Sequence, residues 1–278
     1  MKIKDRQNEE DILEFLYLAR FSYNQAAKCN FWILILTIIS FILIMLGIFW
    51  LQLVLLVIIT IFNIKKIKNI KIGADAKKYI DRTLFGLELK FDIGKKEYLK
   101  DKALKVIEKN KEDYELQKAN NGYSNVRGIK DWYNVGNKEG IDAIYQCQRE
   151  NLYWDKKLVV IYAVVLVLLF IVSLIALLLI NKFSTRGVAE IISSYYNVLS
   201  TLVLEIFGIS SYIIYSARID ENRKSYENIK NLEDKEKQML ELQEKIEKRR
   251  EQPYTIPDVL HKIKSIEYHK RWRKCKNL

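Results

Sequence analysis

Three stretches of the sequence hold residues whose types and spacing could do chemistry. The run Arg127-Gly128-Ile129-Lys130-Asp131-Trp132-Tyr133 interleaves cations with aromatic rings. Arg and Lys pair with phosphates, and nucleobases stack on aromatic faces. The run therefore fits an anionic, base-bearing ligand. Its candidate contacts are Arg127, Lys130, Trp132 and Tyr133, with Arg149 as a further cation. A second reading stays open, in which the aromatics only anchor this loop to its own domain.

In the second stretch, Cys147-Gln148-Arg149-Glu150-Asn151-Leu152-Tyr153-Trp154-Asp155, the polar residues Gln148, Asn151 and Asp155 recur three and four apart. That spacing puts them on one helix face and suits hydrogen bonding between helices. Tyr153 and Trp154 suit a lipid headgroup belt.

The third stretch steps by four through Ser193, Asn197, Thr201 and Glu205. Each step turns about 40° past a full circle, so the four cover an arc near 120° of one helix. Ser200, Gly208, Ser211 and Tyr212 fall on or beside that arc. A carboxylate inside an apolar helix faces a bundle interior or a wet cavity. Two readings follow. The face lines a pore, or Glu205 sits protonated in a dry helical core.

Other chemistry is excluded or disfavoured. There is no phosphate-cradling glycine loop, nucleophile elbow, zinc-protease helix or kinase signature. Cys29, Cys147 and Cys275 are far apart, and the only histidines are His261 and His269. Neither a disulfide framework nor a metal site is expected. We expect no enzyme and no cofactor.

The elements that must carry these stretches follow from composition. The chain has 278 residues, is 50% hydrophobic and 29% charged, and carries a net charge of +12. Those fractions are segregated: residues 31–64 and 158–180 contain no charge. About 20 apolar residues cross a bilayer, so a soluble single domain is excluded. With 10 Gly and 2 Pro, sandwiches and barrels are disfavoured. The expected fold is an all-α membrane protein with four transmembrane helices in two hairpins, about 31–46, 50–66, 158–180 and 191–215. Trp50 and Gln52 suit the membrane interface. The expected parts are an amphipathic helix at 1–30, a first hairpin at 31–66, a mainly helical domain at 67–157, a second hairpin at 158–217 and a helical tail at 218–278. The acidic, helix-patterned start does not fit a signal peptide.

Only Lys182 and Arg186 lie in the short hairpin loops. The positive-inside rule then places both termini and the 67–157 domain in the cytoplasm. Segment 65–157 holds 22 Lys+Arg against 15 Asp+Glu, and segment 218–278 holds 17 against 12. Such excess faces anionic lipid or an anionic ligand.

Within these parts, Ile12, Leu13, Phe15, Leu16 and Ala19 form one apolar helix face. Helices are expected at 73–87 and 95–119, a turn at Asn120–Gly122, a loop at Gly128–Gly140, and a helix from Gly140 into the third span. A charged helix continues the fourth span to about Arg250, with Leu232, Met239 and Ile246 in seven-residue steps. Pro253 and Pro257 end it.

Several of these residues also carry a resemblance. In order, they are Arg6-Gln7-Asn8, Gly73-Ala74 through Asp81, Leu84-Phe85-Gly86-Leu87, Lys130-Asp131-Trp132-Tyr133, and Cys147-Gln148-Arg149-Glu150-Asn151 with Trp154-Asp155. The set resembles the four-transmembrane effectors of bacterial cyclic-oligonucleotide anti-phage systems, the S-4TM pore-forming effectors. The resemblance implies a multi-pass protein of the bacterial inner membrane. A partner nucleotidyltransferase would make a cyclic nucleotide, the activating ligand. The effector would bind it, permeabilise the membrane as an oligomeric pore, and kill the infected cell. Expected partners are membrane lipid, that cyclic nucleotide and further copies of the chain, but no nucleic acid polymer. The competing readings are a non-conducting membrane scaffold, and a small ion channel or transporter without a defence role.

Overall fold

The computed structural model describes residues 3–46, 48, 50–88, 93–122, 128–153, 156–183 and 188–255. Every regular element among them is an α-helix. The helices are α1 (Ile3–Arg6), α2 (Glu10–Met45), α3 (Leu51–Phe85), α4 (Ile93–Lys109), α5 (Lys111–Ala119), α6 (Gly140–Tyr153), α7 (Lys156–Phe183), α8 (Val188–Asn228) and α9 (Leu232–Arg250). The all-α expectation holds.

Helix lengths exceed what the apolar runs alone require. Neither Gly nor Pro interrupts 10–45, so the amphipathic N-terminal segment and the first apolar run form one helix. At 1.5 Å per residue, the 36 residues of α2 span about 54 Å, well beyond a bilayer core. The anticipated separate helix at 1–30 is thus the first half of α2. Ile12, Leu13, Phe15, Leu16 and Ala19 are all buried, and so are Tyr17 and Leu18. Its polar residues Glu10, Asn24 and Lys28 stay exposed, so the buried arc is wide but the helix keeps a polar side.

A short turn returns the chain into α3, which packs along α2. Gln52, expected at an interface, is buried. Its amide oxygen accepts from the Ser40 hydroxyl, and its Nε2 donates to the Ser40 carbonyl at 3.2 Å. An unpaired amide would be costly at that depth, and the bracket satisfies it. Farther along, a Cβ on Gly73 would stand 3.0 Å from the Tyr23 ring, so the glycine allows the close α2–α3 approach. Gly86, at φ +67°, ends α3 in a left-handed cap, with Leu87 N–H donating to the Arg82 carbonyl at 2.9 Å.

The expected helix at 95–119 is two, broken at Asn110. The tail also departs from expectation. α8 stops at Asn228, and a new helix starts after Asn231, whose side chain accepts from Glu233 N–H at 3.2 Å. This cap lets α9 fold back against α8, α6 and α3. Met239 and Ile246 of the seven-residue step are buried, whereas Leu232 is exposed.

Three helices, α2, α7 and α8, are long and apolar enough to cross a membrane. The uncharged start of α3, Leu51–Ile64, is shorter and meets Lys65 and Lys66. A fourth span does not follow from length and composition. Two apolar cores result. One joins α2, α7 and α8 through Ile44, Tyr162, Leu166, Val198, Leu202 and Ile209. The other joins the first half of α2, the second half of α3, and α4, α5, α6 and α9.

Candidate functional site

The second core is crossed by a buried polar network. Asp81, one helical turn before Phe85, is fully buried. Its Oδ2 accepts from Arg250 Nη1 at 2.7 Å and Gln243 Nε2 at 3.3 Å, and its Oδ1 from the Tyr133 hydroxyl at 2.6 Å. Burial alone would raise this carboxyl; Arg250, Lys77 and Tyr133 instead hold it below its ordinary value. The next residue, Arg82, donates from Nε and Nη2 to Glu247 at 2.7 and 3.1 Å. Such forked pairing fixes geometry as well as charge. Helices α3 and α9 are therefore joined by two buried ionic contacts.

The loop at 128–135 is held from two sides. Gln7 donates to the Tyr133 carbonyl at 3.3 Å and accepts from its N–H at 2.8 Å. Asn8 donates to Asp131 Oδ1 at 2.8 Å and accepts from Asp131 N–H at 2.9 Å. Asp131, at φ +46°, takes the left-handed conformation, and Asn121 Nδ2 donates to its Oδ2 at 2.7 Å. From α6, Asn151 Nδ2 donates to the Tyr133 hydroxyl at 3.0 Å, and Glu150 accepts from Asn134 N–H at 3.2 Å. Gln148 donates to the Met239 carbonyl and to Gln243 Oε1, each at 3.2 Å. Motifs from four regions of the sequence thus converge on one network.

Lys77 occupies its edge. Among the described residues its buried amine has no hydrogen-bond partner, and it lies 3.9 Å from the Trp132 ring centroid. Burial pushes it down to about 7, against the attraction of Asp81. The ring supplies the cation–π contact that keeps the charged form accessible.

Beside the α2–α7–α8 core a second cluster links four helices. Lys66 of α3 and Glu205 of α8 form an ion pair, at 3% and 4% exposure. Lys66 Nζ also donates to Asn30 Oδ1 at 3.3 Å. Asn30 Nδ2 donates to the Tyr162 hydroxyl at 2.9 Å and to the Thr255 carbonyl at 3.1 Å.

These positions reframe the residues singled out from sequence. Arg127 lies outside the described residues. Lys130 and Arg149 are exposed, and Trp132 is half-buried under Lys77. Tyr133 offers no free face for stacking, because its ring is buried and its hydroxyl engaged. Among the pore-facing candidates, the side chains of Ser193 and Asn197 lie outside the described residues. Thr201 and Glu205 face the inside of the single-chain bundle. Glu205 meets Lys66 there. The sequence signal for this pair is a lone acid inside one apolar run and a base at the end of another. Gln243, Glu247 and Arg250 carried no separable signal in so charged a helix.

Against known proteins, a family model described as the SMODS-associating 4TM effector domain matches residues 1–275. No curated protein and no solved structure matches the chain. The apolar helices and the match together place this chain among membrane proteins. It belongs to the family of SMODS-associating 4TM effector domains.

Proposed function

We propose that this chain is the membrane-permeabilising effector of an anti-phage signalling system, triggered by a cyclic nucleotide. A partner nucleotidyltransferase would make the nucleotide, and the domain at 67–157 with the tail would receive it on the cytoplasmic side of the bacterial inner membrane. Several copies would then open a path and kill the infected cell. The observation that carries the reading is the Lys66–Glu205 pair: two opposite charges buried between helices, joined through the tail to the ionic network around Asp81. A charge at membrane depth is costly and marks function more often than packing.

The receiving surface is assigned to the loop at 128–135 and its surroundings. Lys130 and Arg149 are exposed cations there, and Arg127 belongs to the same run. Trp132, already stacked against a cation, is the ring a base could share; Tyr133 acts as the loop's anchor. A single closed bundle leaves its centre filled by side chains, so conduction needs several copies.

Dye-filled liposomes carrying the protein test this reading. Leakage on adding a cyclic oligonucleotide, and none without it, is the expected outcome. Tight liposomes with every cyclic nucleotide tried would return a non-conducting scaffold. Calorimetry on Trp132→Ala and Arg127→Ala, each still folded, checks the surface; unchanged affinity in both moves it elsewhere.

A further inference from the structure

The chain does not leave the molecule where α9 ends. Only Glu251 and Gln252 separate Arg250 from Pro253-Tyr254-Thr255, which runs back between the membrane helices. The Pro253 carbonyl oxygen lies 3.4 Å from where a Cβ on Gly208 would stand, so the backbone approaches α8 closely. The Tyr254 ring is buried between Tyr162 of α7, at 5.9 Å, and Tyr212 of α8, at 4.9 Å. The Thr255 carbonyl accepts from Asn30 of α2, the same amide that holds Lys66. Three residues of the tail therefore touch three helices beside the Lys66–Glu205 pair.

The upstream end of this wedge is fixed to the ionic network. Arg250 pairs with Asp81, Glu247 with Arg82, and Arg249 donates to the Asn151 carbonyl at 3.3 Å while covering the Tyr212 ring at 5.2 Å. Three Cα–Cα steps join Arg250 to Pro253 and span at most about 11 Å, so the linker cannot absorb a larger separation of α9 from the wedge. Movement of α9 must then draw on the wedge.

We propose that Pro253-Tyr254-Thr255 is an autoinhibitory plug. It holds α2, α7 and α8 together around the buried ion pair. Its withdrawal, by a ligand that displaces α9 from Asp81 and Arg82, exposes Asn30, Lys66 and Glu205 to water. The proposal rests on the permeabilising reading above, extends it to a residue-level closure, and can fail separately from it.

The test uses the full chain in phosphatidylethanolamine–phosphatidylglycerol liposomes loaded with a self-quenching dye, without nucleotide. Tyr254→Ala removes the wedge's ring, and Gly208→Val pushes its backbone away from the α8 side. Each should raise the basal leak by about tenfold, the shift a lost aromatic contact gives a two-state equilibrium. Gly208→Cys with Pro253→Cys, bridged by a short cleavable thiol cross-linker in a Cys275→Ser chain carrying Tyr254→Ala, should restore tightness until the linker is cut. A mere packing defect would not be reversed in that way. Variants with wild-type helicity and size that stay as tight as wild type overturn the plug, and so does a bridged chain that leaks. The unmodified chain with a cyclic-nucleotide panel separates the two ideas. Leak from Tyr254→Ala but none from any nucleotide keeps the plug and removes the trigger; the converse removes the plug and keeps the trigger.

Discussion

The Asp81 carboxylate and the Arg250 guanidinium, 169 positions apart in sequence, meet at 2.7 Å inside the second core. Neither charge could stand there alone. Arg250→Met leaves a buried carboxylate with two neutral donors, and Asp81→Asn leaves a buried guanidinium. Loss of one partner of a buried pair costs about 3–5 kcal/mol. The double variant should cost clearly less than the sum of the singles, because it strands no charge. Thermal unfolding in detergent measures all four corners of the cycle; strict additivity would show that the pair is not energetically coupled.

The same carboxyl sets an acid limit. Its folded value lies below the ordinary one, so the stability it contributes is present above the ordinary carboxylate range. That stability is lost as the pH falls through the folded value. Unfolding midpoints followed downward from pH 5 should drop more steeply in wild type than in Asp81→Asn. Parallel curves would remove Asp81 from the acid transition.

Lys77 works in the opposite direction. Its amine titrates at about 7 in the folded chain, against an ordinary 10.5. Between those values the unfolded chain binds a proton that the folded chain does not, so stability rises with pH across that window. Below pH 7 the full cost of burying the ammonium is present. Lys77→Met should stabilise the chain at pH 6 and flatten the rise between pH 7 and 10. Melts at intervals across that range check it; a variant with the wild-type slope would assign the slope to another group.

Much of this arrangement was readable in the residues, and the unread part has a physical cause. Apolar periodicity placed Ile12 to Ala19 correctly because helical period and burial coincide there. It could not show that Tyr17 and Leu18 are buried as well, since the buried arc is wider than the apolar stripe that the pattern defines. Glu205 stood out because a lone carboxylate in an apolar run is rare. Its partner did not, because Lys66 lies beside Lys65 where snorkelling is the common outcome. The break at 229–231 was missed because no Gly or Pro marks it; only Asn231, acting as a cap, does. Distances of 123 and 126 positions, from Asn8 to Asp131 and from Gln7 to Tyr133, lie beyond any local pattern.

Gly128 should prove as demanding as the clamped residues. A Cβ there would lie 2.3 Å from the Asn121 carbonyl carbon and 2.5 Å from the Asn120 oxygen. Both are backbone atoms and cannot swing aside. Arg20 Nη1 also donates to the Gly128 carbonyl at 3.1 Å. Gly128→Ala must push the two backbone segments apart, at about 1–3 kcal/mol for overpacking of this kind. Amide exchange at Ile129 and Lys130, which donate to Gln117 and Asn120 carbonyls, should quicken. Gly136→Ala meets nothing within 4 Å but sits at φ +59°, so it reports backbone strain without the collision. Equal effects from the two would assign the loss at Gly128 to strain instead.

The Lys66–Glu205 pair gives the sharpest separation of folding from permeation. Glu205→Gln leaves Lys66 as an uncompensated charge among apolar helices, and Lys66→Met leaves Glu205 in the same position. Each single change should destabilise by about 3–5 kcal/mol, as for other buried pairs that lose one member. Lys66→Met with Glu205→Leu removes both charges and substitutes apolar bulk, so its melting temperature should approach that of wild type. Fold and assembly should then be intact in the double variant while both charges are gone. If copies of α8 surround an open path, Glu205 contributes a ring of carboxylates, and such rings favour cations. The double variant should therefore lose cation preference while keeping its oligomer size. Reversal potentials across planar bilayers under a salt gradient read this directly. Wild-type selectivity in the stable double variant would confine the pair to packing and put the permeation path on another face of the bundle.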